Sequence, residues 1–213
     1  MKRPTILITA GPTREFIDPV RFISNASSGK MGVALARAAS CSANVIVVSG
    51  PVEIKFPADV RQVAVVSAEE MFHKVKEYIP KADIFISAAA VADYRPKKRY
   101  SHKLKKEARS LTIELVPTRD ILAWAGRQKG RRVLVGFALE SKALISGAQV
   151  KRKRKNLDLI VANAPDAIGR DRSRYWLIDR HDNVRALPMT DKSEVAEIII
   201  NEALRIWQDR QKN

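Results

Sequence analysis

The chain has 213 residues, of which 46% are hydrophobic, and this is enough to bury one substantial core. No stretch approaches the roughly 18 uninterrupted apolar residues of a membrane span. The single cysteine excludes an internal disulfide and is typical of a cytoplasmic protein. The three histidines do not have the spacing of zinc ligands. The formal charge of +16 predicts attraction to polyanions, whether nucleic acid or small phosphorylated metabolites.

The N-terminal half is predicted to alternate strands and helices. The near-continuous apolar run NVIVVSG is typical of a strand buried on both faces. Ser67 stands three residues before Glu70, a capping box that predicts a helix start. In chain order we expect a strand over 5–10, a helix over 29–40, a strand over 44–50, a helix over 67–79 and a strand over 84–87.

The C-terminal half continues this alternation and closes with a hairpin. After the segment LTIELV at 111–116 we expect a helix over 118–128, a strand over 131–139, a helix over about 141–154, a strand over 157–164, a hairpin over 175–188 with Asp182-Asn183 at its turn, and an amphipathic helix over 191–211. The pattern predicts an α/β fold: a Rossmann-like, mostly parallel sheet with helices on both faces, plus the C-terminal hairpin. No repeat or linker divides it, so we expect one domain over 1–213.

Ligands of such open sheets bind in the crevice beyond the carboxyl ends of the strands. This rule directs attention to the segments that follow Ala10, Ser49, Ser87 and Val135.

The helix predicted at 29–40 opens with SSGK, which is not a Walker A loop. Ser24 stands where that motif needs its first glycine, and Met31 replaces the hydroxyl that binds magnesium. A dinucleotide fingerprint also fails, because Gly11 is separated by a long loop from Gly29 and Gly32. What remains is a helix N-terminus suited to an anion, or plain serine capping.

The long loop before that helix carries groups that can hold carboxylate or phosphate oxygens. They are Arg14, Arg21 and Asn25. The alternative is a surface loop in which the arginines pair with neighbouring acids.

A second promising region is SAAAVADYRPKKRYSHKLKK at 87–106. Its small residues leave room for a ring or ribose, and its lysines can clamp the charge of a triphosphate; a solvated basic loop is the alternative. Tyr94 and Lys98 imitate the Tyr-x-x-x-Lys pair of short-chain dehydrogenases. Pro96 between them interrupts the helix that this pair requires, so we reject hydride transfer.

Five blocks of the sequence resemble those of one enzyme family, phosphopantothenoylcysteine synthetase. They are ITAGPTREFIDPVRFISNASSGKMG at 8–32, AAAVADYRP at 88–96, KLKK at 103–106, VGFALE at 135–140 and RKNLDLIVAN at 154–163. The resemblance implies a cytoplasmic ligase of coenzyme A biosynthesis, which joins 4'-phosphopantothenate to cysteine through an acyl-nucleotidylate. Because the chain starts at the synthetase's first strand, we expect a free-standing synthetase of the bacterial type, acting as a homodimer.

The resemblance also implies roles for individual residues. Asn25 matches the residue that holds the acyl intermediate, and Lys103 matches a loop lysine that steadies the nucleotide phosphates. The nucleotide site is expected to comprise Ser87, Ala88, Ala89, Asp93, Lys103, Arg119, Asp120, Ile121, Leu122, Phe137, Lys151 and Lys155. The substrate site is expected to comprise Arg14, Asn25, Ser27, Ser28, Gly29 and Lys30. Magnesium is expected with the nucleotide, without an assigned protein ligand.

Several alternatives stay open at this point. The block around Gly29 favours CTP as the nucleotide, and ATP remains possible because Arg119 and the sequence GFALES depart from the family pattern near the base pocket. Lys151 and Lys155 precede a strand, where the crevice rule predicts the opposite edge of the sheet. A basic nucleic-acid-binding module is favoured by the net charge and the run KRKRKN, although no aromatic residues interleave the run. A degenerate synthetase that binds phosphopantothenate without ligating it is a third possibility.

Overall fold

The computed structural model describes residues 3–106, 110–139, 143–164 and 171–212. Its strands are β1 (Thr5–Ala10), β2 (Arg14–Phe16), β3 (Phe22–Ser24), β4 (Asn44–Ser49), β5 (Arg61–Ala64), β6 (Ile84–Ser87), β7 (Tyr94–Pro96), β8 (Leu115–Pro117), β9 (Val133–Leu139), β10 (Leu159–Asn163), β11 (Arg172–Asp179) and β12 (Val184–Asp191). Its helices are α1 (Lys30–Ser40), α2 (Ala68–Tyr78), α3 (Ile121–Arg127), α4 (Leu144–Arg154) and α5 (Lys192–Lys212), with a 3-10 turn at Ile79–Lys81.

Eight strands form one central sheet in the order β12-β11-β10-β9-β6-β1-β4-β5. The six strands from β10 to β5 in this order are parallel to one another. Strand β11 pairs antiparallel with both of its neighbours, β10 and β12. The α/β, mostly parallel, Rossmann-like fold is therefore confirmed, and the C-terminal hairpin extends the sheet itself. Asp182 has φ of +64° at the hairpin turn, where a short polar residue tolerates the left-handed conformation.

The core lies on both faces of this sheet because alternate residues of each strand point in opposite directions. Ile6 and Ile8 pack on the face that α1 and α5 cover, where Val195 and Ile199 are buried. Leu7 lies on the other face, which is covered by α2, α3 and α4. Burial on both faces explains why the inner strands are continuous apolar runs.

Two small antiparallel sheets stand apart from the central one. β2 pairs with β3, inside the loop that was predicted to be irregular, and β7 pairs with β8. Only Leu115 and Val116 of the segment LTIELV belong to a strand, β8, and that strand lies outside the central sheet. The edge strand β5 was not predicted because its sequence, RQVA, is short and mostly exposed. The start predicted for the helix at 141 lies outside the described residues.

A search of the described ranges finds no helix with the length and apolar character needed to cross a bilayer.

Candidate active site

A cavity of about 570 Å³ opens at the carboxyl edge of the parallel strands. Its wall is built mainly from the segment between β3 and α1 with the first residues of α1, the segment after β6, the start of α3 and the ends of β9 and β10. This is where the crevice rule places the ligand of an open α/β sheet. Among the described residues, the segment after Ser49 adds nothing to the wall. It packs instead on the loop after β1, where a Cβ on Gly50 would lie 1.9 Å from the carbonyl oxygen of Pro12.

Sixteen of the eighteen residues proposed for the site line this cavity. They are Asn25, Ser27, Ser28, Gly29, Lys30, Ser87, Ala88, Ala89, Asp93, Arg119, Asp120, Ile121, Leu122, Phe137, Lys151 and Lys155. Residues separated by more than a hundred positions in sequence thus converge on one space. Their individual roles in binding and catalysis stay predictions.

The N-terminus of α1 is pressed closely against the end of β1. A Cβ on Gly32 would lie 2.3 Å from the Cβ of Ala10, and Gly29, with φ of +76°, occupies the left-handed region that favours glycine. The hydroxyls of Ser27 and Ser28 lie 3.4 and 3.5 Å from the backbone nitrogens of Gly29 and Lys30. The positive end of the helix, two hydroxyls and a lysine therefore meet in one turn, an arrangement that favours an anion.

A second lysine reaches the same end of the cavity. Lys30 Nζ lies 2.6 Å from Asp171 Oδ1, and the backbone nitrogen of Lys192 donates to the carbonyl of Asp171 over 3.1 Å. Lys192 is the first residue of α5 and lines the cavity. Burial, together with the charge of Lys30, lowers the pKa of Lys192 despite the opposing charge of Asp171. Two ammonium groups close enough to repel each other are stabilised when a polyanion lies between them.

Asn25 is oriented by the segment that follows β6. Its Nδ2 donates to the carbonyl oxygens of Ala90 and Val91 over 3.1 and 3.0 Å. Both amide hydrogens are therefore engaged with backbone, and the carbonyl oxygen Oδ1 is the polar atom left to accept a hydrogen bond from a ligand. The side chain enters the cavity wall immediately after β3.

The small residues at the end of β6 are held by the neighbouring strand and loop. The backbone nitrogen of Ala88 donates to the carbonyl of Thr9, and Ala90 forms a parallel bridge with Pro12. Thr118 Oγ1 donates to the carbonyl of Ala92 over 2.5 Å, and the nitrogen of Thr118 donates to the carbonyl of Asp93. The wall here is mainly backbone and methyl groups, which leaves space for a planar ring or a sugar.

Lys155 reaches the cavity from the opposite edge of the sheet by running beside α3. Its backbone lies next to the C-terminal part of α3, where a Cβ on Gly126 would lie 2.1 Å from the carbonyl oxygen of Lys155. Its Nζ nevertheless contacts Asp120 Oδ2 at 2.8 Å, at the N-cap of α3. Because α3 is only seven residues long, one lysine side chain spans the distance. The crevice rule describes where backbone segments end and does not limit how far a side chain extends.

The carboxylate of Asp120 is stabilised in its ionised form. Burial raises its pKa, but the hydrogen bond from Lys155, the backbone N–H of Ala123 and the charges of Lys155 and Arg154 outweigh that effect, so the pKa of Asp120 lies below its usual range. Arg119, beside it, turns toward α2. Its guanidinium carbon lies 4.9 Å from the ring centroid of Phe72, and its Nε is 3.5 Å from Glu69 Oε2.

Arg14 and Lys103 lie outside the cavity wall formed by the described residues. Arg14 belongs to β2 and its guanidinium carbon sits 4.7 Å from the ring centroid of Phe22. Lys103 is exposed in the loop between β7 and β8. The structure therefore does not bring these two residues together with the other sixteen.

Ten further cavity residues were not predicted: Ala26, Met31, Gly32, Ala90, Val91, Thr118, Leu139, Asn163, Tyr175 and Lys192. Leu139 and Asn163 end strands β9 and β10, so the crevice rule was a sufficient signal for them. Tyr175 and Lys192 arrive through the hairpin. Because β11 is antiparallel to β10, its start and the end of β12 return to the carboxyl edge, as the pairing of Arg172 with Asp191 shows. Burial raises the pKa of Tyr175 to about 12, so its hydroxyl stays protonated.

Within the described ranges, no group of three or more His, Cys, Asp or Glu side chains is arranged to hold a metal ion. Magnesium in nucleotide sites is commonly held by substrate phosphates, water and one or two carboxylates. Asp93 and Asp120 are the carboxylates among the described residues of the cavity wall, and that of Asp120 is paired with Lys155.

The fold and the cavity define a doubly wound α/β protein with a lysine-lined crevice at the carboxyl edge of its sheet. Sequence comparison identifies the family within this class. Residues 1–206 match the family described as DNA/pantothenate metabolism flavoprotein C-terminal domain, and the chain belongs to that family.

Individual relatives agree with this membership. The coenzyme A biosynthesis bifunctional protein CoaBC of Bacillus subtilis (strain 168) is 43% identical over 203 residues, which cover 92% of this chain and 50% of that protein. A cysteine/cysteine sulfinic acid decarboxylase from an unknown prokaryotic organism is 44% identical over 208 residues, covering 94% of this chain and 58% of that protein. The crystal structure of the C-terminal domain of a CoaBC protein has a TM-score of 0.84 at 40% identity, over 98% of both chains. The chain thus spans about half the length of the curated relatives it matches.

Proposed function

We propose that this chain is a phosphopantothenate–cysteine ligase that uses CTP in preference to ATP. The observation that carries the proposal is the convergence of Asn25, the anion-binding turn of α1 and the lysines at 151 and 155 on one cavity, in a family whose name and relatives point to pantothenate and coenzyme A metabolism. A carboxylate does not acylate an amine until it gains a good leaving group, and a nucleotidyl group is such a leaving group.

In the first step, a carboxylate oxygen of 4'-phosphopantothenate bonds to the α-phosphorus of the nucleotide. The bond between that phosphorus and the bridging oxygen breaks, and pyrophosphate leaves with the electron pair. Two anions must approach each other, so positive charge around the phosphates lowers the barrier. Lys30, Lys151 and Lys155 lie in the cavity wall and are proposed to supply this charge, and Lys103 is proposed to join them from its loop. Magnesium bound to the triphosphate would supply further positive charge.

In the second step, the amino nitrogen of cysteine bonds to the acyl carbon, the nucleoside monophosphate leaves, and the amine loses its proton to solvent. Asn25 is proposed to hold the acyl intermediate through its Oδ1, which is aimed by the two hydrogen bonds that its amide nitrogen donates. The small residues at 87–89 leave room for the nucleotide, and Phe137 at the end of β9 offers a ring for the base.

A homodimer is part of the proposal. The two small sheets expose Val20, Phe22, Tyr94 and Leu115, and a second copy of the chain would cover such apolar side chains. Light scattering at the assay concentration tests this, and a monomer with full activity would contradict it.

The nucleic-acid-binding alternative loses support from the structure of the run at 151–155. Arg152 and Lys153 both pair with Asp182, at 2.9 and 2.7 Å, and Lys155 pairs with Asp120. Arg152 and Lys153 therefore share one carboxylate, whereas Lys155 lines the cavity. A continuous stripe for a phosphate backbone is not formed by them.

The decisive experiment is pyrophosphate release by purified protein with 4'-phosphopantothenate, magnesium and either CTP or ATP, with and without cysteine. Turnover that yields the amide only with cysteine, and faster with CTP, is the expected result. Binding of phosphopantothenate without any pyrophosphate release would indicate the degenerate synthetase. Release of carbon dioxide from cysteine without nucleotide would favour the activity for which one relative is named.

A further inference from the structure

Asp18 is a buried carboxylate that the proposed chemistry does not use. Its side chain has no exposed surface, and it lies in the turn between β2 and β3. Ionised carboxylates are rarely buried unless several donors satisfy them. The donors here come from two parts of the chain that lie more than eighty residues apart.

The two oxygens of Asp18 serve different partners. Oδ1 accepts from the backbone nitrogens of Val20 and Arg21, both at 2.8 Å, and thereby closes the turn. Oδ2 accepts from the backbone nitrogen of Leu104 and from Arg21 Nη1, both at 3.1 Å. Arg21 Nη1 also donates to the carbonyl of Leu104 over 3.1 Å, so both backbone groups of Leu104 are held.

Burial raises the pKa of Asp18, but the three backbone N–H groups and the charge of Arg21 outweigh it, and the pKa lies below its usual value. The carboxylate therefore stays ionised near neutral pH, as these hydrogen bonds require.

Leu104 directly follows Lys103, the lysine proposed to steady the nucleotide phosphates. Further contacts fasten the same loop to the same hairpin: the nitrogen of Tyr100 donates to the carbonyl of Ile17 over 2.8 Å, and Arg99 lies 5.0 Å from the ring centroid of Phe16. The other end of this hairpin, after β3, carries Asn25. One hairpin thus joins the two residues proposed for catalysis.

We propose that Asp18 is a positioning residue that fixes the base of the Lys103 loop, so that the lysine starts its approach to the phosphates from a defined place. This inference rests on the function proposed above for Lys103. Fixing the loop gives the exposed side chain of Lys103 a defined starting position although it lies outside the cavity wall. The position matters because misplacing a catalytic group by about 1 Å can cost about a hundredfold in rate.

Asp18→Asn separates the two roles of the carboxylate. The amide oxygen can keep the Oδ1 contacts of the turn, while the amide nitrogen would face the donors of Leu104 and Arg21 in place of Oδ2. The readout is single-turnover pyrophosphate release by the D18N, K103Q and D18N/K103Q variants. We expect D18N to slow release about tenfold, and to add nothing further when Lys103 is already replaced.

Asp179→Asn is the matched control. Asp179 accepts from the backbone nitrogens of His181 and Asn183 at the turn between β11 and β12, away from the lysine loop. D179N should leave pyrophosphate release unchanged. Trypsin cleavage within 97–106 should be faster in folded D18N than in the wild type or D179N. If D18N fails to fold, Arg21→Gln replaces it in the comparison with K103Q and the double variant. The Arg21 side chain is 45% exposed, so we expect this substitution to leave the fold intact.

Multiplicative losses in D18N/K103Q, or a wild-type rate in folded D18N, would overturn the inference. A wild-type rate in K103Q would overturn it together with the proposed role of Lys103. Failure of the ligase proposal is distinguished by the wild-type protein, which would then release no pyrophosphate at all.

Discussion

Gly32→Ala tests whether the packing of α1 on β1 positions the turn at Ser27 to Lys30. An alanine Cβ would lie 2.3 Å from the Cβ of Ala10 and 3.0 Å from its Cα, so α1 and β1 must separate by about 1.1 Å to restore an ordinary contact of 3.4 Å. Replacing glycine inside a helix by alanine gains about 1 kcal/mol from helix propensity. Overpacking costs about 1–3 kcal/mol, and more where backbone must move. We expect a net loss of about 1–2 kcal/mol in the free energy of unfolding.

The same displacement should impair catalysis, because Ser27 to Lys30 move with the helix start. A misplacement of about 1 Å corresponds to a loss of roughly a hundredfold in kcat/KM. Urea denaturation measures the stability, and pyrophosphate release measures the activity. Gly130→Ala is the control: it has φ of +54° and no atom within 4 Å of an added Cβ, so it should lose about 1–2 kcal/mol through backbone strain alone and keep its activity. Wild-type stability in G32A, or a stability loss with unchanged kcat/KM, would refute the reasoning.

Three further predictions concern individual side chains of the cavity. Asn25→Ala should still release pyrophosphate but form the amide about a hundredfold more slowly. Chromatography measures both products, and an equal loss of pyrophosphate and amide would contradict this prediction. Lys192→Gln should raise KM about tenfold for either the nucleotide or phosphopantothenate. Lys212→Gln, on the same helix, should leave both KM values unchanged. If both KM values are also unchanged in Lys192→Gln, Lys192 does not belong to the site. Burial opposes but does not outweigh the partners that hold the pKa of Asp120 below its ordinary value of about 3.9. The stability that this carboxylate contributes is therefore complete above that value and is lost as pH falls through the lower, folded-state pKa. Accordingly, the difference in unfolding free energy between the wild type and D120N should be constant near neutral pH and shrink below about pH 4, and a constant difference down to pH 3 would contradict it.

The inner strands and the helices that cover them were predictable because burial imposes a simple pattern on the sequence. The continuous apolar runs around Ile6, Val47 and Ile84 have this form because each strand is covered on both faces. The edge strand β5 and the small strands β7 and β8 were not predictable in this way. They are three or four residues long and mostly exposed, so no hydrophobic period distinguishes them from loops.

Within the candidate site, the residues that directly follow strands in the sequence could be predicted from the strand pattern. Residues from other parts of the chain were predicted only through the family resemblance, or were not predicted. Ser87 and Phe137 lie at strand ends, and Ser27 to Gly29 open a helix. Lys155 lies beyond the reach of the crevice rule, since its approach depends on the short length of α3 and its pairing with Asp120.

Local composition and spacing were enough to predict the order of the inner strands and of the helices that cover them, the two-faced core and the chemical character of the turn at Ser27 to Lys30. Tertiary structure alone decided that Tyr175 and Lys192 complete the cavity and that Asp18 joins the hairpin of Asn25 to the loop of Lys103. These contacts depend on the antiparallel pairing of β11 and on a hydrogen bond between residues 86 positions apart. Such long-range partners leave no periodic trace in the chain, so they become visible only when the sheet is assembled.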